Sequence, residues 1–198
     1  MAKEALLEPA PKGFFHETEL PRSMFIMMVG VSSSGKTTNA IGLEAGYSDV
    51  SRIELDDICF DLYGSSAFRA LEACEATRDG NRDIFAAACN GIYVCRLAQE
   101  NPDRIFLEMK KRVLKSLETG CVVLDAPNLT HARRQQFLEG LPQDVRKACI
   151  YKEVSLEVAL RRNTERRYEC VPVDVIRAQM DLLEPPTETE GWDYVEKQ

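Results

Sequence analysis

Gly30, Gly35, Lys36 and Thr37 stand in GVSSSGKT with the spacing G-x-x-x-x-G-K-[ST], and that spacing has a chemical meaning. The two glycines allow backbone angles and close approaches that a side chain would block, so successive amide N–H groups can turn inward around an anion. The ammonium of Lys36 is expected to reach the β- and γ-phosphates of a nucleotide, and the Thr37 hydroxyl is placed for magnesium. Gly30, Val31, Ser32, Ser33, Ser34, Gly35, Lys36, Thr37 and Thr38 are therefore the candidate nucleotide contacts. Other chemistry-bearing residues recur down the chain: Asp56 and Asp57, Asp125 at the end of an apolar run, and a cluster of arginines at 161, 162, 166 and 167.

These side chains need elements to hold them. Phe25 to Val29 is a short apolar run that reads as a central parallel strand feeding the loop. A helix follows from Lys36 to about Ala45, with Gly46 expected as its C′ glycine. Val50 to Leu55 reads as a second strand ending in Asp56 and Asp57; successive strand residues face opposite ways, so only one of the pair is expected to face the nucleotide. It would serve as a base for an attacking hydroxyl, or else cap the following helix. From Cys59 to Gly120 the chain reads as a long helical crossover. In its last helix Ile105, Met109, Val113 and Leu117 recur every four residues; the earlier Arg69, Arg78, Arg82 and Arg96 read as helix-face charges.

Cys121 to Leu124 reads as a third strand ending at Asp125, placed to hold magnesium through water or else to serve as a structural turn aspartate. Thr130 is the expected N-cap of a helix through Glu139, and Val145 to Tyr151 the fourth strand. Ser155 caps a helix whose inward stripe is Leu156, Ala159, Leu160 and Asn163. Arg162 and Arg166, four apart, share one side of it. This arginine-bearing segment, about 155–171, reads as a lid that neutralises charge during phosphoryl transfer, or else as a solvated helix salted by Glu157 and Glu165. Pro172 opens another helix to about Leu183, and the tail carrying Trp192 packs back on the domain.

Alternating strands and helices opened by such a loop predict an α/β fold of the P-loop kinase type, a parallel sheet with helices on both faces. Its strand ends would gather the three acidic or phosphate-binding motifs. The 198 residues, 44% hydrophobic and 29% charged, suit one such domain at 24–198 behind an irregular extension at 1–23. No stretch is long and apolar enough for a membrane span, and a cytoplasmic protein is expected. The seven cysteines lack a C-x-x-C pair and only two histidines accompany them, which argues against a zinc site. A net charge of −7 restricts any nucleic-acid contact to a local basic patch.

Four blocks, GVSSSGKTT, IELDD, VVLDAPNLTHARR and LRRNTERRYECVPVDVI, resemble those of the 5′-hydroxyl polynucleotide kinases and related small P-loop kinases. The resemblance implies ATP and Mg²⁺ as cofactors and transfer of the γ-phosphate to the 5′-OH end of RNA or DNA. It implies Asp56 as general base, Arg166 as the arginine on the β- and γ-phosphates with Arg162 as its helper, and Asn128 as a family asparagine near the nucleotide. Three residues beyond Asp56, where polynucleotide kinases carry an arginine for the acceptor phosphate, this chain has Cys59. There is no D-x-D-G-T phosphatase motif. A small-metabolite kinase of the same fold is the nearest rival; a nucleotide-binding regulator is a further one, although N-K-x-D and D-x-x-G motifs are missing.

Overall fold

In the computed structural model residues 23–63, 102–166 and 171–198 are described. The expectations for the N-terminal extension, for most of the crossover with Arg69, Arg78, Arg82 and Arg96, and for Arg167 lie outside them.

Five parallel strands make one sheet: β1 (Met24–Val29), β2 (Val50–Glu54), β3 (Cys121–Asp125), β4 (Arg146–Tyr151) and β5 (Tyr194–Lys197), in the order β2-β3-β1-β4-β5. The apolar run MFIMMV takes the centre because every one of its residues can be buried there. Its alternation divides the core. Phe25, Met27 and Val29 join the cluster on one face, and Met24, Ile26 and Met28 join that on the other.

The helices are α1 (Lys36–Gly46), α2 (Leu55–Tyr63), α3 (Pro102–Leu117), α4 (His131–Leu138), α5 (Leu156–Glu165) and α6 (Val173–Leu182). On one face, Ala40 and Leu43 of α1 cover the sheet. On the other, the expected α3 stripe of Ile105, Met109, Val113 and Leu117 is buried with Phe137 of α4. Phe106 meets Phe137 edge-on at 4.7 Å between ring centroids, a geometry that adds to the area buried. Truncating Met109 to alanine here would cost about 2–5 kcal/mol. Thr130 and Ser155 cap α4 and α5 as expected, accepting from the amides of Arg133 and Val158.

Three boundaries differ from the sequence reading. Strand β2 stops at Glu54, and Asp56 and Asp57 lie in the first turn of α2. Acidic side chains favour that position because the helix N-terminus carries partial positive charge. Gly46 is the last residue of α1, which Tyr47 ends in extended conformation; no left-handed glycine is used there. Finally, the tail does more than pack back: Tyr194–Lys197 adds a fifth strand to β4, with Ala148 opposite Tyr194 and Tyr151 opposite Lys197. A run of only four residues, two of them charged, gives little sign of itself until a partner edge is present. No described helix is long and apolar enough to cross a membrane.

Candidate nucleotide site

The sheet register brings the carboxyl ends together: Glu54 lies opposite Asp125, and Val29 opposite Tyr151. Whatever follows β1, β2, β3 and β4 therefore shares one edge, where ligands of open parallel sheets sit.

Immediately after β1 the chain takes an unusual path, with φ of 145° at Gly30, 63° at Ser33 and 100° at Gly35. At Gly30 a side chain is excluded twice over, since a Cβ would lie 2.8 Å from both the Lys152 carbonyl oxygen and Ser34 Oγ. The Gly30 amide donates to the Pro127 carbonyl at 3.1 Å, and the Ser34 amide closes a turn onto Val31 O at 3.2 Å. Asn128 braces the same junction. It is buried, with φ 48°, and its Nδ2 donates to Met28 O at 2.8 Å and Ala126 O at 3.2 Å.

Lys36 opens α1 and is buried; its Nζ donates to Val31 O at 2.7 Å and reaches Ser34 Oγ at 3.5 Å. Burial lowers its pKa to about 8; Asp125 and Asp56 pull it up, and Arg166 pushes it further down. Those opposing influences show that Asp125, Arg166 and Asp56 all act on the Lys36 ammonium. Thr37, half-buried, is the next residue of α1.

Asp125 ends β3 buried, with its Oδ2 3.4 Å from Arg52 Nη1. Arg52 projects from β2, also pairs with Glu54, and lies 3.5 Å from Glu44. Sequence reasoning passed over it because a lone arginine in a strand gives no hint of a carboxylate on the neighbouring one. Burial pushes the Glu54 carboxyl above its usual range although Arg52 opposes the shift. Asp56 and Asp57 are both exposed, but they diverge: Asp56 acts on Lys36, while Asp57 lines a cavity of about 400 Å³ with Arg52, Glu54, Arg112 and Lys115. Cys59 points inward and is only 7% exposed.

Beyond β4, helix α5 approaches the loop. Arg162 Nη1 donates to Ser34 O at 3.1 Å. The helix ends at Glu165, so Arg166 is its extended C-cap and not a helical residue four after Arg162. At this helix end the Arg166 amide donates to Asn163 O, and the Asn163 side chain binds the Val171 amide at 3.0 Å and carbonyl at 2.8 Å. Two further contacts carried no sequence signal. Gln179 Oε1 accepts from the Ser32 amide at 2.7 Å, and Lys152, whose Nζ donates to Gln198 Oε1 at 2.8 Å, runs beside Gly35.

Behind the site, Arg134 is fully buried. It makes paired bonds of 2.7 Å to both oxygens of Glu190 and donates to the carbonyls of Asn128 at 3.1 Å and Leu129 at 3.0 Å. The segment after Asp125 is thereby tied to the C-terminal part of the chain.

A parallel sheet with helices on both faces and this loop after its central strand is a P-loop kinase-type fold. The match to the AAA domain family AAA_33 spans residues 25–186, and the chain belongs to that family. Among solved structures it is similar to a gluconokinase from Sinorhizobium meliloti 1021 (17% identity, TM-score 0.54, covering 90% of this chain and 83% of that one). It is also similar to a sugar kinase from Janibacter sp. HTCC2649 (18%, TM-score 0.58, 88% and 85%). A chain of the Pnkp1/Rnl/Hen1 RNA repair complex matches with 16% identity and a TM-score of 0.58 over 83% of this chain and 45% of that one. Such identities establish a shared fold. Sequence comparison with curated proteins gives no match.

Proposed function

We propose that this chain is an ATP-dependent phosphotransferase that moves the γ-phosphate to a hydroxyl acceptor, the 5′-OH end of RNA or DNA. The supporting observation is that Lys36 is buried at the phosphate loop with its ammonium on Val31 O, at the same sheet edge as Asp125 and with Arg162 on Ser34 O, while the charges of Asp125, Asp56 and Arg166, from three separate elements, shift its pKa. In this reading Gly30 to Thr38 cradle the phosphates with main-chain amides, and Lys36 compensates charge on the transferring group. The bent loop, with a position at Gly30 that no side chain could occupy, suits that task.

Thr37 and Asp125 would hold Mg²⁺. Their chemistry fits an ion that takes few protein ligands and keeps waters and phosphate oxygens, and among the described residues no larger ligand cluster exists. When bound, the ion supplies neutralisation of phosphate charge. Asp56 takes the proton of the acceptor hydroxyl as the acceptor oxygen bonds to the γ-phosphorus and the bond from that phosphorus to the β–γ bridging oxygen breaks, releasing ADP. Arg166, helped by Arg162, stabilises charge on the equatorial oxygens from a lid spanning about 155–171 of a domain at 24–198. Asn128 supports the nucleotide edge through the backbone it braces.

One observation favours a small hydroxylated metabolite as acceptor instead: the residue three after Asp56 is a buried cysteine, which offers no cation to an acceptor phosphate. γ-Labelled ATP offered with 5′-OH oligonucleotides and, in parallel, with hydroxylated metabolites separates the readings. Label on the oligonucleotide supports the proposal, label on a metabolite selects the second reading, and no transfer to any acceptor rejects both.

A further inference from the structure

Ser32, Ser33 and Ser34 form the middle of the phosphate loop, and each is held by a different residue of the α5–α6 pair. The Ser32 amide donates to Gln179 Oε1 at 2.7 Å, the Ser33 hydroxyl to Asn163 Oδ1 at 3.3 Å, and Ser34 O accepts from Arg162 at 3.1 Å. Beneath them Val31 is buried in an apolar cluster with Ala159 of α5 and Ile176 of α6, edged by Leu160 and Met180. The first half of the loop is thus packed on the helical pair as well as joined to the sheet.

Such a loop has a cost in conformational freedom, because several residues sit at uncommon backbone angles. Contacts from outside the loop that are already made before a ligand arrives reduce the ordering that binding requires. The buried Asn163 is doubly placed for this: the same carboxamide that takes Ser33 also binds Val171 N and O, just ahead of α6, while its own carbonyl accepts from the Arg166 amide.

We propose that Asn163 and Gln179 are positioning residues that register the phosphate loop on the α5–α6 pair, so that the loop's anion-binding shape and the arginine-bearing segment are set together. The proposal rests on the nucleotide-binding reading for its consequence but not for the registration itself. Gln179 is the better point to test, being half-buried on α6 and outside the central core. Methionine matches its length and removes the acceptor, whereas glutamate keeps an acceptor for the Ser32 amide.

Hydrogen exchange of the loop amides in the full chain without nucleotide reads the registration, and calorimetric titration with ATP reads its consequence. Gln179→Met is expected to speed exchange at Ser32 by about 3- to 10-fold, as loss of one hydrogen bond would, to weaken ATP binding by a similar factor, and to lower the thermal midpoint by no more than about 2–5 °C. Gln179→Glu is expected to restore slow exchange while still binding ATP more weakly, because it adds a negative charge beside the phosphates. Exchange at Ser32 within twofold of wild type in Gln179→Met, or no restoration by glutamate, would overturn the proposal. A wild type that binds no nucleotide while its loop exchange still responds to Gln179→Met would remove the nucleotide reading and leave the registration standing.

Discussion

Replacing Arg134 by methionine tests how the segment behind Asp125 is held. The substitution removes the two bonds to Glu190 and those to the Asn128 and Leu129 carbonyls, and strands a carboxylate whose side chain is 4% exposed. Breaking a buried pair by removing one partner costs about 3–5 kcal/mol, which for a chain of this size lowers the melting temperature by roughly 6–20 °C. Burial alone would raise the Glu190 carboxyl pKa, but bonds from Arg134, Trp192 Nε1 and the Thr187 amide hold it below its ordinary value. Its ionised form therefore stabilises the fold above the unfolded carboxyl pKa, and that contribution is lost as pH falls through the folded value. In Arg134→Met burial dominates, so the stability gap from wild type should narrow on acidification. Adding Glu190→Gln keeps an acceptor for Trp192 and removes the stranded charge, so the double variant should be less destabilised than the sum of the singles by about 1–3 kcal/mol. Urea unfolding followed by the fluorescence of Trp192, the only tryptophan and a hydrogen-bond donor to Glu190, measures all three. A loss below about 1 kcal/mol for Arg134→Met, or strict additivity in the double variant, would refute the reasoning.

Other expectations concern the site. Lys36→Ala should abolish phosphoryl transfer while leaving the fold intact, as judged by turnover and circular dichroism together; equal activity in the purified variant would count against the kinase reading. Asp56→Asn should lower kcat far more than Asp57→Asn, because Asp56 acts on Lys36 while Asp57 lines the neighbouring cavity; side-by-side kinetics showing the reverse order would move the base assignment. If the acceptor is a polynucleotide end, its KM should rise with salt through phosphate contacts, whereas a flat response would favour a neutral metabolite.

Much of this arrangement is legible in the sequence because it is local. The G-x-x-x-x-G-K-T spacing, the apolar runs of β1 and β3, the four-residue stripe of α3 and the Thr130 and Ser155 caps each depend on neighbours within a few positions. What escaped depends on distant partners. Gln179 meets Ser32 and Arg134 meets Glu190 only once the chain has folded, and β5 is a strand only because β4 offers it an edge. Asp56 and Asp57 were readable as acidic residues at the carboxyl edge, ahead of a helix, but the strand reads past its actual end at Glu54 because Ile53 and Leu55 continue an apolar alternation. The end of the helix before Arg166 was not readable either, because the Asn163 side chain finds its partner, Val171, only in the folded chain.

The most direct measurement is single-turnover transfer of the γ-phosphate by wild type and Arg166→Ala, with ATP affinity determined for both. Arginines that stabilise developing phosphoryl charge contribute about 10³–10⁵ in rate, and Arg166→Lys should not rescue the loss because an ammonium lacks the planar fork. A large fall in the rate of transfer with a smaller change in ATP affinity is the expected result. Near-normal transfer by Arg166→Ala, or a loss of thermal stability alone, would contradict the assignment of the arginine-bearing segment to phosphoryl transfer.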